Sequence, residues 1–437
     1  MKATTDKFAG VKALRPAARR AGEAPRGERA QVAEASEQLA MLLGASANRN
    51  RYGEHLALRR WFSEPNAFEP HADSLRLLAP DAPEEAGDPE KWLFLDTETT
   101  GLAGGTGTYA FLVGIAWWDA GGLEVEQFFM RDHSEEHSVL LALRERLAER
   151  PVLVTFNGKS FDWPLLETRF RMTRAITPRK PLAHLDLLHP ARQLWRLRLG
   201  TARLPELEKH VLGWERGIDV DSALIPQIYF DFLRGGPAEP LVPIFRHNQM
   251  DLRGLAALAA RVFTVLAAPV AAECDALELY GVSRILTRRR EFDRARELYA
   301  RTLDAGLSEE IERSARRELA RLAKRRRDYA LATSLWEQLS ATPAGNPEAI
   351  EALVELAIHY EHRGRNNTRA AEVTREALAH LSAGLCGRHL VPARFRTLRD
   401  KLEHRLERLN RKAANVLPLH AGTAQARAHT AKTSQNI

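Results

Sequence analysis

Asp96 and Glu98 stand one residue apart, directly after the apolar run Trp92-Leu93-Phe94-Leu95. A short apolar run of this kind reads as a buried strand. Alternation along a strand puts Asp96 and Glu98 on one face. Two carboxylates side by side repel unless a cation sits between them, and hard divalent ions such as Mg²⁺ or Mn²⁺ take carboxylate oxygens. Acids also end strands and open turns, so the pair alone leaves a structural role open. A second apolar stretch, Pro151 to Phe156, leads through Asn157-Gly158-Lys159-Ser160-Phe161 to Asp162. A helix is expected from Trp163 onward, with Pro164 suited to its first turn. Asp162 then either caps that helix or joins the other acids. A third element carries His247 and Asp251, followed by Leu252, Leu255, Leu258 and Val262 at helical spacing. Four residues apart on a helix, His247 and Asp251 share a face.

Together these groups suit phosphodiester cleavage. That reaction needs a nucleophile made from water and charge relief on the leaving oxygen. Two metal ions about 3.5–4 Å apart supply both in an in-line displacement. Asp96, Glu98, Asp162 and Asp251 offer enough carboxylates to hold two such ions. An unperturbed histidine titrates at about 6.5, which suits a base at neutral pH.

The three elements resemble the three motifs of the DEDD (DnaQ-like) exonucleases: Asp-x-Glu after a strand, Asn-x-x-x-Phe-Asp before a helix, and His-x-x-x-Asp late in the domain. The segment Gly101-Leu102-Ala103-Gly104-Gly105-Thr106-Gly107-Thr108-Tyr109-Ala110-Phe111-Leu112-Val113-Gly114 resembles the signature of the YprB-like branch, as do Gly53-Glu54-His55-Leu56 and Arg59-Arg60-Trp61-Phe62 upstream. The resemblance covers roughly residues 50–263 and continues more loosely through the C-terminal part. It implies an α/β ribonuclease-H-like domain, a mixed five-stranded sheet flanked by helices with the acids at its central strands. It also implies two divalent cations, Mg²⁺ or Mn²⁺. Asp96 would bridge them, Glu98 and Asp251 would complete their shells, Asp162 would bind one, and His247 would orient or deprotonate the attacking water. The implied activity is 3′→5′ exonuclease cleavage of DNA, in repair or maintenance beside a helicase. One departure stands out: in DEDD enzymes with a catalytic histidine, that residue usually lies one position further from the last aspartate. His247 fills the slot of the subgroup that uses tyrosine. The same chemistry on RNA stays open, because discriminating a 2′-hydroxyl takes only a few contacts. So does a repeat scaffold carrying a weak or silent nuclease domain.

The glycine-rich loop before Ala110 lacks the Gly-Lys-Ser/Thr ending of a phosphate-binding P-loop, and a strand rather than a helix is expected after it. It is expected beside the metals, with Thr97, Thr106, Thr108, Tyr109 and Asn157 as candidate substrate contacts. Asp186, in His184-Leu185-Asp186-Leu187-Leu188-His189, is expected to support the fold.

At 437 residues the chain should hold two domains. The expected division is a largely disordered segment 1–48, an extension and linker 49–90, the nuclease domain 91–263, helical repeats 264–412 and a disordered tail 413–437. Two cysteines, Cys274 and Cys386, make neither a disulfide framework nor a zinc site and fit a reducing, cytoplasmic setting. No apolar run is long enough to span a membrane. Net charge is +7, split as −1 over residues 1–263 and +8 over 264–437, with clusters at Arg288-Arg289-Arg290 and Lys324-Arg325-Arg326-Arg327. A basic surface attracts phosphate backbones, whereas interleaved acids would make the same residues solvated helix faces. Phe292–Tyr299, Tyr329–Trp336 and the segment from Thr368 are similar at a period of roughly 37–39 residues. That is somewhat longer than the ~34 of the tetratricopeptide repeats they resemble. An all-α tetratricopeptide-like domain is expected there, offering a surface for a protein partner.

Overall fold

The computed structural model describes residues 26–63, 72–101, 107–386 and 392–414. Its first part runs α1 (Arg26–Leu43), β1 (Ser46–Asn50), β2 (Gly53–Phe62), α2 (Ala72–Leu78), β3 (Trp92–Thr99), β4 (Ala110–Asp119), β5 (Gly122–Phe129), α3 (Glu136–Glu149), β6 (Val152–Thr155), α4 (Asp162–Thr173) and β7 (Ala183–Asp186). Helices then take over: α5 (Leu188–Leu199), α6 (Leu204–Leu207), α7 (Ile225–Leu233), α8 (Val242–Ala267), α9 (Ala276–Arg288), α10 (Phe292–Asp304), α11 (Glu309–Arg325), α12 (Tyr329–Ser340), α13 (Pro347–His362), α14 (Asn367–Cys386) and α15 (Pro392–Ala414). The chain divides into two compact units. One holds residues 1–66, 90–184 and 216–256, and the other holds 67–89, 185–215 and 257–437.

The first unit is built on a mixed sheet in the order β1-β2-β5-β4-β3-β6-β7. Neighbours from β1 to β3 pair antiparallel, and β3 pairs parallel with β6. Among the described residues the sheet has seven strands rather than the expected five. The five are β3 to β7, and the hairpin β1-β2 adds two at the β5 edge. β2 lies in residues 49–90, expected as an extension and linker, and β1 starts within the segment expected to be largely disordered. The hairpin turn is tight: Asn50 pairs with Gly53, and Asn50 Oδ1 accepts the Tyr52 N–H at 3.0 Å. Trp92 to Leu95 are buried to 1% exposure or less, so β3 runs through the core up to Asp96. The core on one side is aromatic. Phe111 and Tyr229 stack with centroids 4.0 Å apart, and Phe129, Phe232 and Phe245 close around them. Each such ring contributes about 1.5–3 kcal/mol on burial.

Residues 26–48 were expected to lack order, yet they form α1 and the start of β1. Ala35, Leu39 and Leu43 recur every fourth position and are buried in the core cluster. One narrow apolar stripe is enough to dock a helix. The surrounding Ala, Arg and Glu hid it in the composition. Residues 1–25 and 415–437, also expected to be disordered, lie outside the described residues.

The second unit consists of helices, each packing on the next from α9 to α15. The repeated segments fall on α10, α12 and α14, and their matching alanines Ala295, Ala332 and Ala371 are buried. The chain between the second and third motifs does not stay with the sheet as expected: residues 185–215 cluster with these helices. The reason is local. Trp195 Nε1 donates to the buried Glu278 carboxylate at 2.5 Å, and Gly281 lets α9 press against α5, since a Cβ there would lie 2.6 Å from the Gln193 carbonyl oxygen. The basic clusters stand at helix ends, and several members are engaged locally. Lys324 meets Glu355 at 2.6 Å, Arg326 meets Asp293 at 2.6 Å, and Arg289 donates to the Leu77 carbonyl at 2.7 Å. Among the described residues no helix is long and apolar enough to cross a membrane.

Candidate metal centre

Three backbone elements of the first unit converge on the acids. β3 carries Asp96 and Glu98 where its buried run ends, opposite Gly114 and Leu112 of β4. β6, the parallel neighbour of β3, turns through Asn157 and Gly158 into α4, whose first residue is Asp162. Asn157 takes a left-handed conformation, and Gly158 fits against Thr155 where a Cβ would lie 2.5 Å from that side chain. This tight turn points α4 back toward β3, and Thr97 Oγ1 donates to Asp162 Oδ1 at 2.5 Å. α8 brings His247 and Asp251 on one face, as their spacing requires.

The convergence is close. One ligand atom from each of Glu98, His247 and Asp251 lies within 4.8 Å of the other two. His247 Nε2 is 3.4 Å from Asp251 Oδ2 and 3.9 Å from Glu98 Oε1. Asp96 lies near enough to feel Asp251, Glu98 and Asp162. Burial first, and then those three charges, push its carboxyl well above the ordinary range. Burial, Asp251, Asp162 and Asp219 raise Glu98 to about 8. Acids crowded out of water in this way are satisfied by a cation. The donor set is oxygen-rich with one imidazole, which suits Mg²⁺ or Mn²⁺.

Three groups at the site had no signal in the spacing of the motifs. Asp219 accepts from His247 Nδ1 at 2.8 Å and 2.9 Å. Burial would raise the Asp219 carboxyl, but His247 and Arg216 outweigh it and hold it below its usual value. An ionised carboxylate only accepts, so Nδ1 donates to Asp219 and Nε2 faces the acids. The ring therefore reaches the cluster from the four-residue spacing. Arg216 pairs with Asp251 and, at 3.2 Å, with Asp219. Asn248 donates to Asp96 Oδ2 at 2.8 Å. Arg216 and Asp219 sit in the irregular stretch before α7, where no periodicity could single them out.

The RNase H superfamily matches residues 93–263 of the chain. The chain is also similar to the uncharacterized protein YprB of Bacillus subtilis (strain 168). The two are 31% identical over 287 residues, covering 65% of this chain and 68% of YprB. The chain belongs to the YprB family. Its ribonuclease-H-like fold is the one the motifs implied, and helices follow it as expected.

The candidate substrate contacts of this YprB-family chain divide. Thr97 is engaged by Asp162. Asn157 shapes the β6–α4 turn. Thr108 is half-buried beside Tyr109, and Thr106 lies outside the described residues. Tyr109 does not offer a stacking face. Its ring lies 3.8 Å beneath the Arg169 guanidinium and 4.4 Å from the parallel ring of His133, and two groups that close must cover opposite faces. Arg169 is anchored in turn by a bidentate pair with buried Glu136. Asp186 accepts the Leu188 N–H at 3.1 Å at the start of α5, a supporting role.

Proposed function

We propose that this chain is a metal-dependent 3′→5′ exonuclease that hydrolyses phosphodiester bonds, with DNA as its substrate. The observation that carries this reading is the gathering of Glu98, His247 and Asp251 ligand atoms within 4.8 Å, beside Asp96. Asp96, Glu98, Asp162 and Asp251 would hold two divalent ions, Mg²⁺ or Mn²⁺. When bound, such ions relieve charge on the reacting phosphate and on the departing oxygen. His247 takes the proton of the attacking water on Nε2 while Asp219 holds Nδ1 and stabilises the imidazolium. The water oxygen bonds to phosphorus and the bond to the 3′-oxygen of the preceding nucleotide breaks. That oxygen leaves with a proton from solvent as a new 3′-hydroxyl, and a nucleoside 5′-monophosphate departs. A setting in DNA repair or maintenance, with a helicase as protein partner on the helical repeats, completes the proposal.

The test is digestion of 3′-labelled and 5′-labelled DNA, and of matched RNA, with Mg²⁺, Mn²⁺ or EDTA. Stepwise loss from the 3′ end that requires metal and disappears in Asp162→Ala is expected. Metal-dependent cleavage of RNA alone would move the substrate, and cleavage that persists in Asp162→Ala would refute the site.

A further inference from the structure

We infer that Asn248 is a positioning residue that aims the Asp96 carboxylate at its cation, as the last link in a chain of buried amides. This rests on the metal-site reading above. The register places Asp96, Gly114 and Gln127 side by side on β3, β4 and β5. Asn248, on the helix between the two site residues His247 and Asp251, lies across that row. It can do so because position 114 has no side chain: a Cβ on Gly114 would sit 2.0 Å from Asn248 Oδ1. Gln127 Nε2 donates to Asn248 Oδ1 at 2.7 Å and to the Phe245 carbonyl at 3.0 Å. Gln249 Nε2 donates to Gln127 Oε1 at 2.7 Å. Asn248 Nδ2 faces Asp96 Oδ2 at 2.8 Å and the Asp96 carbonyl at 3.4 Å.

The direction of the chain is fixed at both ends. The carbonyls of Phe245 and Asp96 only accept, so an amide nitrogen must face each of them. Every link from Gln249 to Gln127 to Asn248 to Asp96 therefore donates forward, and such chains polarise cooperatively in a low dielectric. Asn248 and Gln127 are fully buried, so no water competes for these bonds. A single rigid donor on Oδ2 fixes the carboxylate plane of Asp96 and favours its ionised form. It leaves Oδ1 and the remaining lone pair of Oδ2 to ligate. Partners of this kind, acting on a ligand without touching the metal, typically change metal affinity 10–100-fold when removed.

The experiment is Mn²⁺ binding to the full chain without substrate, by calorimetry, with unfolding temperature in EDTA measured in parallel. Asn248→Leu keeps the branched side-chain shape and removes the donor. We expect its Mn²⁺ affinity to fall about tenfold or more. Gln249→Leu, at the partly exposed start of the chain, should fall less and unfold at the wild-type temperature. A merely structural amide would lower the unfolding temperature and leave Mn²⁺ affinity unchanged. That result overturns the assignment, in Asn248→Leu or, should that variant not fold, in Asn248→Ser. A wild type whose Mn²⁺ affinity depends on Asn248 but which cleaves neither DNA nor RNA would sink the exonuclease and leave this assignment standing. A wild type that binds no Mn²⁺ overturns both.

Discussion

Glu361, buried in the helical unit, and Asp96, half-buried in the sheet unit, are carboxylates that are treated in opposite ways. Glu361 Oε2 accepts from Arg405 and Arg408 at 2.8 Å each, and Lys412 reaches Oε1 at 3.0 Å. Burial would raise its carboxyl, but Lys412, Arg408 and His362 outweigh burial and hold it below the usual range. Asp96 is surrounded by Asp251, Glu98 and Asp162, and the side chain that donates to its carboxylate is the neutral amide of Asn248. Its carboxyl is driven up. A buried acid supplied with its own cations is settled within the protein, and serves to hold α15 to α13. Buried acids supplied mainly with one another call for a cation from outside. Perturbation of this second kind marks functional sites more often than the first.

The contrast can be broken most directly by neutralising Asp96. Asp96→Asn should lower nuclease activity by at least about 10²–10³-fold, the loss typical of removing one group that stabilises a transition state. It should also leave the metal-free protein as stable as wild type or more so, because one repelling charge is gone. A variant that cleaves normally, or that unfolds early in EDTA, would place Asp96 with Glu361 instead. Glu361→Gln should show the reverse pattern. Charged hydrogen bonds are worth about 1.5–3 kcal/mol each, and a loss of about that size in chemical denaturation is expected, with metal-dependent activity per folded molecule unchanged.

Glu98, beside Asp96, and Glu361 should also differ in their response to pH. Glu98 has a folded-state pKa of about 8 against an ordinary 4.5, so the metal-free fold holds more protons there than the unfolded chain. Its contribution to stability is greatest at low pH and declines as pH rises toward 8. Glu361 has the opposite sign: its contribution is present above the ordinary carboxylate range and fades as pH falls through the lowered value. Because ligands must be deprotonated to bind metal, Mg²⁺ affinity should climb with pH up to about 8. Unfolding scans from about pH 2 to 9, spanning the carboxylate range, with EDTA or Mg²⁺, check both signs. A Mg²⁺ affinity independent of pH would remove Glu98 from the ligand set.

Much of the fold was legible because its signals are local. The buried run of β3, the strand-turn-helix around Asp162 and the helical spacing after Asp251 each follow from residue type and period within a dozen positions. The alanines of the repeated segments likewise marked helices that must approach closely. What escaped had no local signal. The hairpin β1-β2 depends on pairing with β5, a partner far along the chain. The docking of α1 depends on three small or apolar residues in a polar segment. Arg169 and His133 pack against the Tyr109 ring from distant segments, which no local pattern signals.

The sequence by itself determined which carboxylates share a strand face or a helix face, since alternation and the helical repeat are properties of the backbone. It also determined the family, through motifs that survive as short patterns. Only the tertiary structure decided how those faces meet. It supplied Asp219 to turn His247, Arg216 to pair with Asp251, and Asn248 to lie over Gly114 and hold Asp96. These partners come from segments whose separation along the chain carries no periodicity. Their contacts arise from packing the helix against the sheet, and no window of sequence contains that event.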